Sequence, residues 1–497
     1  MVALPTNDPA CRTPATHGKH LTMLGNHHVP APPGRCRARA QGSSFVSDKL
    51  ARLTSLRLAA PEWASCRPEW RAPFLAGSDT EWDSYPSLKD LFPESSRGVT
   101  AGRTWVYAPD QETLQRRWAT FTRSVEGARR QMLPESRDRT IDSVVRPLPG
   151  FPPVEGTLAT ETGAPAAPIR VAYRAFDRQW LLPDSRLLVM PRPPLWAVRS
   201  PQQIFMTEQN SQSIESGPGV AFTHLIPDLH HYNGRSGRVF PLYCDASTHR
   251  PNVTPGLCAF LGAALRQSVA PADVMAYVAA TVGHRDYTRR FARQLQHPGV
   301  RVPLTADPEL WTEAVHIGKE VLWLHTFGNS TPDPATRPRF SDFVEAAGPR
   351  VVAEIPDRPG ELPQTISYDA DHRVLLVGEG KIAPVHPDVW EYDVGGMRTV
   401  RHWFNYRCAH QRHRRRSSVL DEETPLSWSS AFTDELLEIL AVLEQCVALE
   451  PQQAALLDRV CAGPLISTAG LTDAEVLPPN RPNKLGVTGD ETTPRLF

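Results

Sequence analysis

Val171-Ala-Tyr-Arg-Ala-Phe-Asp-Arg-Gln-Trp180, followed by Pro191-Arg192-Pro193, is the stretch on which the reading of this chain turns. Its first residues are the β-branched and aromatic types that favour a strand, and Arg174, Asp177 and Arg178 cluster in the turn that follows. Two readings are open: an Arg–Asp pair bracing a turn, or a basic group presented to an anionic partner. Further short strands are predicted at Leu187–Met190, Gln203–Thr207, Val220–Thr223 and Val239–Leu242, with Ile169–Tyr173 opening the set. Helices are predicted at Thr254–Ser268, Pro271–Val282, Tyr287–Gln296 and Pro308–Leu324. The last carries Leu310, Trp311, Ala314, Val315, Gly318, Val321 and Leu322 on one side. Strands and helices in this mixture give an α+β fold class, with a core over 151–330.

Outward from that core, Pro147, Pro149, Pro152 and Pro153 mark a boundary near 150, and residues 61–150 read as a helical connector. Within it, Asp110 opens a helix bearing Leu114, Trp118, Phe121 and Val125. Residues 1–60 hold eight Lys or Arg against two acids and no sustained apolar period, so they read as a disordered basic arm. A native arm and a non-native extension would look alike here. On the other side, Thr331–Pro338 is a second boundary. A C-terminal part over 339–467 has strands at Val351–Ile355, Thr365–Tyr368 and Val374–Val377, and a helix starting at Trp403–Tyr406 that runs into a basic loop. A helix Thr433–Leu449 capped by Thr433 and a short helix Gln452–Val460 after Pro451 complete it. Residues 468–497 read as a flexible tail.

Composition narrows the class. The 497 residues carry 54 Lys plus Arg and 54 Asp plus Glu, which excludes a histone-like or acidic disordered protein but not a local basic surface. No run approaches the roughly 18 apolar residues of a membrane span, and the N-terminus lacks the apolar core of a secretory signal. The eight Cys form no CxxC, which disfavours a zinc ribbon or disulfide framework and points to the cytoplasm. There is no GxxxxGK[ST], no GxGxxG after a strand, no GxSxG, no HExxH and no Asn-Pro-Pro-aromatic tetrapeptide. No catalytic residue is assigned.

Three clusters remain as candidate chemistry. His224-Leu-Ile-Pro-Asp228-Leu-His230-His231 is metal-like in density, but adjacent histidines point apart in a strand, and a hydrogen-bonded loop is the better reading. No metal site is assigned. Pro356-Asp357 followed by Glu379-Gly-Lys381 has the outline of a metal-dependent nuclease. However, Asp357 sits in a turn sequence, and Gly378 and Gly380 suggest a hairpin at Glu379. The third cluster is basic. Arg398, Arg401, Arg407, Arg412, Arg414, Arg415 and Arg416 fall within nineteen residues containing no acid, interleaved with Trp403, Phe404 and Tyr406. Arginine forks onto phosphate and guanine, so phosphate contact is favoured over a solvated face.

Several blocks together resemble one family. Pro61-Glu-Trp63 to Pro86-Ser-Leu-Lys-Asp-Leu-Phe92 and Gly102-Arg-Thr-Trp-Val-Tyr-Ala-Pro109 are similar to the stretch after the methyltransferase domain of type ISP restriction–modification enzymes. Tyr173-Arg-Ala-Phe-Asp-Arg-Gln-Trp180 resembles that family's Tyr-Arg-Pro-Phe-Asp signature, with Ala175 in place of Pro. Phe240-Pro-Leu-Tyr243, Arg301-Val-Pro-Leu-Thr305, Gly318-Lys-Glu-Val-Leu-Trp-Leu-His325, Val389-Trp-Glu-Tyr-Asp-Val-Gly-Gly396, Trp403-Phe-Asn-Tyr-Arg407 and Leu449-Glu-Pro-Gln452 follow in the family's order. The resemblance spans about residues 60–467.

The resemblance implies the C-terminal specificity region, which reads the DNA target, without the family's nuclease, ATPase and methyltransferase. It implies a truncated product or a separate subunit acting on double-stranded DNA with a methyltransferase encoded upstream. S-adenosylmethionine is expected on that partner, with no cofactor in this chain and no membrane. The residues expected at DNA are Arg103, Tyr173, Arg174, Arg178, Arg192, Arg401, Arg407, Arg412, Arg414, Arg415 and Arg416. The alternatives are an inactive remnant of a restriction–modification gene and, less favoured, a metal-dependent nuclease.

Overall fold

A computed structural model describes residues 35–37, 63–65, 80–136, 138–330, 339–408 and 418–478. The chain divides into two compact units, Met1–Asp83 and Ser84–Phe497. In the first, Arg35–Arg37 pairs antiparallel with Trp63–Ser65. The rest of the expected basic arm lies outside the described residues.

The second unit is built on two antiparallel sheets that interleave segments distant in sequence. Strands β1 (Ser96–Arg97), β2 (Tyr107–Ala108), β3 (Ile169–Arg174), β4 (Asp177–Leu181), β5 (Phe205–Gln209), β6 (Val220–Thr223) and β7 (Gly237–Pro241) form them. One sheet has the order β1-β7-β5-β6 and the other β2-β4-β3. The predicted connector therefore does not stand apart, because it supplies an edge strand to each sheet of the core. Every residue of β5 and of β6 is buried, including the polar Thr207, Glu208 and Gln209 of β5. The strand predicted at Leu187–Met190 is a turn that touches Thr100 by a single bridge at Met190. Helix α1 (Gln111–Arg123) starts where Asp110 accepts the Thr113 amide at 2.6 Å.

Two helices, α2 (Pro271–Val282) and α3 (Pro308–His325), pack face to face. Each has proline in its first turn, where the missing N–H is not needed. Asp307 caps α3 by accepting the amides of Glu309 and Leu310. Gly318 of α3 lies where any Cβ would come within 1.7 Å of the Ala276 carbonyl oxygen of α2, so only glycine allows this approach. Tyr277 stacks on Trp311 beside it, ring centres 4.7 Å apart.

The C-terminal part adds a four-stranded antiparallel sheet in the order Arg350–Ala353, Gly380–Ala383, Val374–Val377 and Ile366–Asp369. Helix α4 (Thr399–Asn405) follows. Helix α5 (Ser430–Ala462) is continuous for 33 residues. Two helices broken at Pro451 were expected. Proline removes one helical hydrogen bond, but both flanks are anchored from outside. Glu450 pairs with Arg285, and the Gln453 amide donates to the carbonyls of Ala279 and Ala280 at 3.2 Å. Thr433 is not the cap. It lies inside the helix, where its hydroxyl accepts the Trp428 indole N–H at 2.9 Å.

The expected loose tail begins with a further helix, Thr468–Asp473. Ser467 caps it, and Leu471, Val476 and Leu477 are buried. Residues 479–497 lie outside the described residues, as does the boundary at 331–338. Among the described residues no helix is long and apolar enough to cross a membrane.

Two of the apolar cores among the described residues bear on the signature hairpin. One gathers Trp105, Trp118, Phe121, Leu187 and Leu188, and the other Trp403, Trp428, Leu436, Leu440 and Leu443. Burying each such side chain contributes about 1.5–3 kcal/mol. The β3–β4 hairpin enters both: Val171, Tyr173 and Leu181 sit in the first core, and Ala175 and Phe176 in the second.

Candidate functional site

The signature stretch forms the β3–β4 hairpin, with Arg174 opposite Asp177 and Phe176 at the turn with φ of 64°. That backbone region disfavours a bulky L-residue, and the Phe176 ring compensates by packing against His325 and Tyr392. The turn-bracing pair does not form. Arg174 turns instead to Asp228, Nη1 to Oδ1 at 2.9 Å, and Tyr107 donates its hydroxyl to the other Asp228 oxygen at 2.8 Å. The Arg174 guanidinium lies 4.0 Å from the centre of the Tyr173 ring, which is wedged between Tyr107 and Tyr406. Tyr173 is buried, so it positions Arg174 rather than facing solvent.

Asp177 reaches Arg407. Arg407 Nη1 donates to Asp177 Oδ1 at 3.0 Å and to the Trp403 carbonyl at 3.0 Å, and Nη2 donates to Glu435 Oε2 at 3.0 Å. Its side chain has no exposure. The expectation of a phosphate contact at Arg407 is thereby corrected: long-range folding brings two carboxylates to a guanidinium that has none nearby in sequence. Burial lowers the Arg407 pKa, and the Asp177 charge opposes that effect. Around this pair, Arg170 bonds Glu435 and Arg178 bonds Glu438, fastening the hairpin to α5. Arg178 is also stacked 3.8 Å over the Phe327 ring centre.

The other basic candidates separate by environment. Arg401 is half-exposed, pairs with Glu391 at 2.8 Å and lies 4.3 Å from the centre of the Trp390 ring. Arg398 shares Glu391. The acid-free window is therefore partly neutralised by an acid just upstream. Arg412, Arg414, Arg415 and Arg416 lie outside the described residues. Arg103 is corrected as well. It is buried and donates to the carbonyls of Leu187 at 2.9 Å and Pro134 at 3.1 Å, and burial lowers its pKa to about 10. Arg117 and Arg129 brace backbone carbonyls in the same manner. Arg192 is half-buried with φ of 55°, and its buried Nε has no hydrogen-bond partner, as is also true of Arg103, Arg401 and Arg407.

Sequence reasoning missed Arg97 and Arg238. They are directly opposed on β1 and β7, and Arg238 is in turn opposed to Glu208 on β5. Only the strand pairing brings them together, so no local signal could have found them.

The histidine cluster does not converge. His231 is buried and its Nδ1 bonds the Thr207 hydroxyl at 2.9 Å, whereas His230 is half-buried. Burial lowers the pKa of His224 to about 4 and of His231 to about 3. In the nuclease outline, Glu379 sits in the tight turn between Val377 and Gly380 and is paired with Arg358 at 3.2 Å. Among the described residues no group of three or more His, Cys, Asp or Glu could hold a metal.

The family profile described as Type ISP C-terminal specificity domain matches residues 90–439, about 70% of the chain. This chain belongs to that family. The matched range runs from the start of the first sheet into α5 and takes in the signature hairpin, the α2–α3 pair and Arg407. Solved structures share the specificity domain's fold. The chain of "cryoEM structure DrdV-DNA complex" is 16% identical with a TM-score of 0.51, covering 84% of this chain and 42% of that one. The chain of "ATP-dependent Type ISP restriction-modification enzyme LlaBIII bound to DNA" is 15% identical with a TM-score of 0.51, covering 83% and 27%. A curated relative, GTPase Der of Bordetella pertussis, is 28% identical over 164 residues, 32% of this chain and 35% of that protein. The matched part thus spans less than half the length of each of these proteins. It lacks the GxxxxGK[ST] sequence through which a P-loop GTPase holds phosphates.

Proposed function

We propose that this chain is the target-reading part of a type ISP restriction–modification system, working in the cytoplasm on double-stranded DNA. The observation that carries the reading is membership of the specificity-domain family over residues 90–439. The fold shared with DrdV, solved as a DNA complex, supports it. Arginines would hold phosphates and set the register, while side chains in the major groove read base edges. Arg174, Arg178, Arg192 and Arg401 retain some exposure and stay candidates for these contacts. Arg412, Arg414, Arg415 and Arg416 join them on sequence grounds. Arg103, Tyr173 and Arg407 act through the scaffold. Adenine methylation would be performed by a methyltransferase domain or subunit acting with this chain, and S-adenosylmethionine would bind there. That partner would also extrude the base.

The test is fluorescence anisotropy of the full chain with duplexes across a salt series. Binding should weaken steeply with salt, and changing Arg412, Arg414, Arg415 and Arg416 together to Ala should flatten the log–log slope by about 0.9 per lost contact. Absence of binding to any duplex at low salt would contradict the reading. The chain alone should transfer no methyl group from labelled donor to DNA.

A further inference from the structure

We infer that Arg97, Arg192 and Arg238, drawn together at the β1 edge of the four-stranded sheet, form a second DNA-phosphate contact strip separate from the 398–416 segment. This deepens the DNA-reading proposal and rests on it.

The scaffold comes first. Arg97 pairs in register with Arg238 on β7, and Arg238 with Glu208 on β5, so all three side chains stand in one row on one face. Just past Arg97 the chain passes between two neighbours. Thr100 exchanges both backbone hydrogen bonds with Met190, and Val99 donates to Pro227 while Leu229 donates to Val99. Gly98 makes this possible, because a Cβ there would lie 2.4 Å from the Asp228 carbonyl oxygen. Met190 is followed two residues later by Arg192. The 227–229 segment is in turn hydrogen-bonded to Ala172, next to Tyr173 and Arg174. The strip is thus continuous in backbone with the signature hairpin.

The charges are not balanced within this strip. Glu208 is buried and is taken by Arg238, Oε1 to Nη1 at 3.1 Å, and by the Val300 amide. Among the described residues no carboxylate pairs with Arg97 or Arg192, and Arg97 is exposed. The two are close enough that the Arg97 charge adds to burial in disfavouring the charged form of Arg192. Lys89, also exposed and without a carboxylate partner among the described residues, is near enough to act on Glu208.

Several arginines elsewhere in this fold are neutralised by carboxylates, at Arg170, Arg174, Arg178, Arg186 and Arg407, whereas the buried Arg103 and Arg129 rest on backbone carbonyls. Two guanidiniums without carboxylate partners, carried on segments joined by the Thr100–Met190 bridge, repel each other, and an anion between them would relieve that repulsion. A phosphodiester backbone supplies such anions at regular spacing, and arginine is suited to it by geometry. Arg192 is moreover held in a left-handed conformation that an L-residue adopts at some cost, directly before Pro193, which fixes where its side chain departs.

The experiment uses the full chain and a fluorescein-labelled duplex of arbitrary sequence, with affinity read by anisotropy across a salt series. Changing Arg97→Ala and Arg192→Ala together should lower the log–log salt slope by about 1.8, at about 0.9 per phosphate. Arg97→Lys with Arg192→Lys should largely preserve the slope, since it depends on charge. Should the alanine pair fold poorly by circular dichroism, Arg97→Ala with Arg192→Gly removes the same charges and suits φ of 55°. A wild-type chain that binds DNA, beside a folded variant with unchanged slope, overturns the strip and leaves the DNA-reading proposal standing. A wild-type chain that binds no duplex overturns both.

Discussion

Arg407 Nη1 donates to Asp177 Oδ1 at 3.0 Å across 230 positions of sequence, and both side chains are buried. The bond ties the turn of the signature hairpin to the end of α4. With Glu435 accepting from Nη2, it also reaches α5. A cation at the junction of three elements is held by two anions from elements not its own. Removing one member of such a group leaves a buried charge without compensation, which costs about 3–5 kcal/mol.

The first prediction follows from that geometry. Arg407→Ala should lower unfolding stability by about 3–5 kcal/mol, read from urea midpoints at constant m-value. At matched folded concentration its DNA salt slope should equal that of the wild type, because the guanidinium does not reach solvent. A flattened slope in a fully folded Arg407→Ala protein would restore Arg407 as a phosphate contact.

The second concerns the α2–α3 pair. Gly318→Ala places a methyl group within 1.7 Å of the Ala276 carbonyl oxygen, a backbone atom that cannot rotate away. The helices must part, and overpacking of this kind costs typically about 1–3 kcal/mol, occasionally more. Alanine's better helix propensity returns only about 1 kcal/mol. Thermal unfolding should show a net loss, with the nearby Tyr277–Trp311 stack reporting it as a change in tryptophan fluorescence. A variant as stable as the wild type would show that the close approach is not required.

What could be read from the sequence was local. The apolar faces of Pro271–Val282 and Pro308–Leu324 marked those helices, because such a face repeats every three or four residues and is a local signal. Asp110 was found because a cap acts within four residues. The family resemblance placed the ordered blocks, and the specificity-domain match bears it out within 90–439. The failures were long-range. Pro451 reads as a break, and only Arg285 and the 279–280 carbonyls explain why the helix continues. Arg407 reads as a basic surface residue, since Asp177 and Glu435 are invisible in its neighbourhood. Arg97 and Arg238 read as unrelated, and only strand register makes them neighbours. Arginine content by itself thus counted structural braces and candidate phosphate contacts alike.

The third prediction is acid lability. Burial lowers the pKa of His231 and His325 from 6.5 to about 3, and of His224 and His284 to about 4. These histidines are neutral in the folded chain, while in the unfolded chain they take up protons near pH 6.5. The unfolded state therefore binds more protons between those values. Stability is complete above about pH 6.5 and falls as pH drops toward 3, by roughly 1.4 kcal/mol per unit for each histidine. Glu208 works in the opposite direction. Burial raises its pKa to about 7, so its contribution is full below 4.5 and is lost as pH rises through 7. Burial also raises the pKa of Glu450, which acts with Glu208, and lowers that of His230, which acts with the four histidines, so the histidines outnumber the carboxyls and acidification brings a net loss. Urea midpoints taken from pH 7.5 to 4.5 should fall steeply below about pH 6. His325 accepts the Phe222 amide at Nδ1, a role a glutamine oxygen can take. His325→Gln should then make the acid limb shallower by about one proton. An acid limb of unchanged steepness in that variant would mean that His325 titrates in the fold much as it does in the open chain.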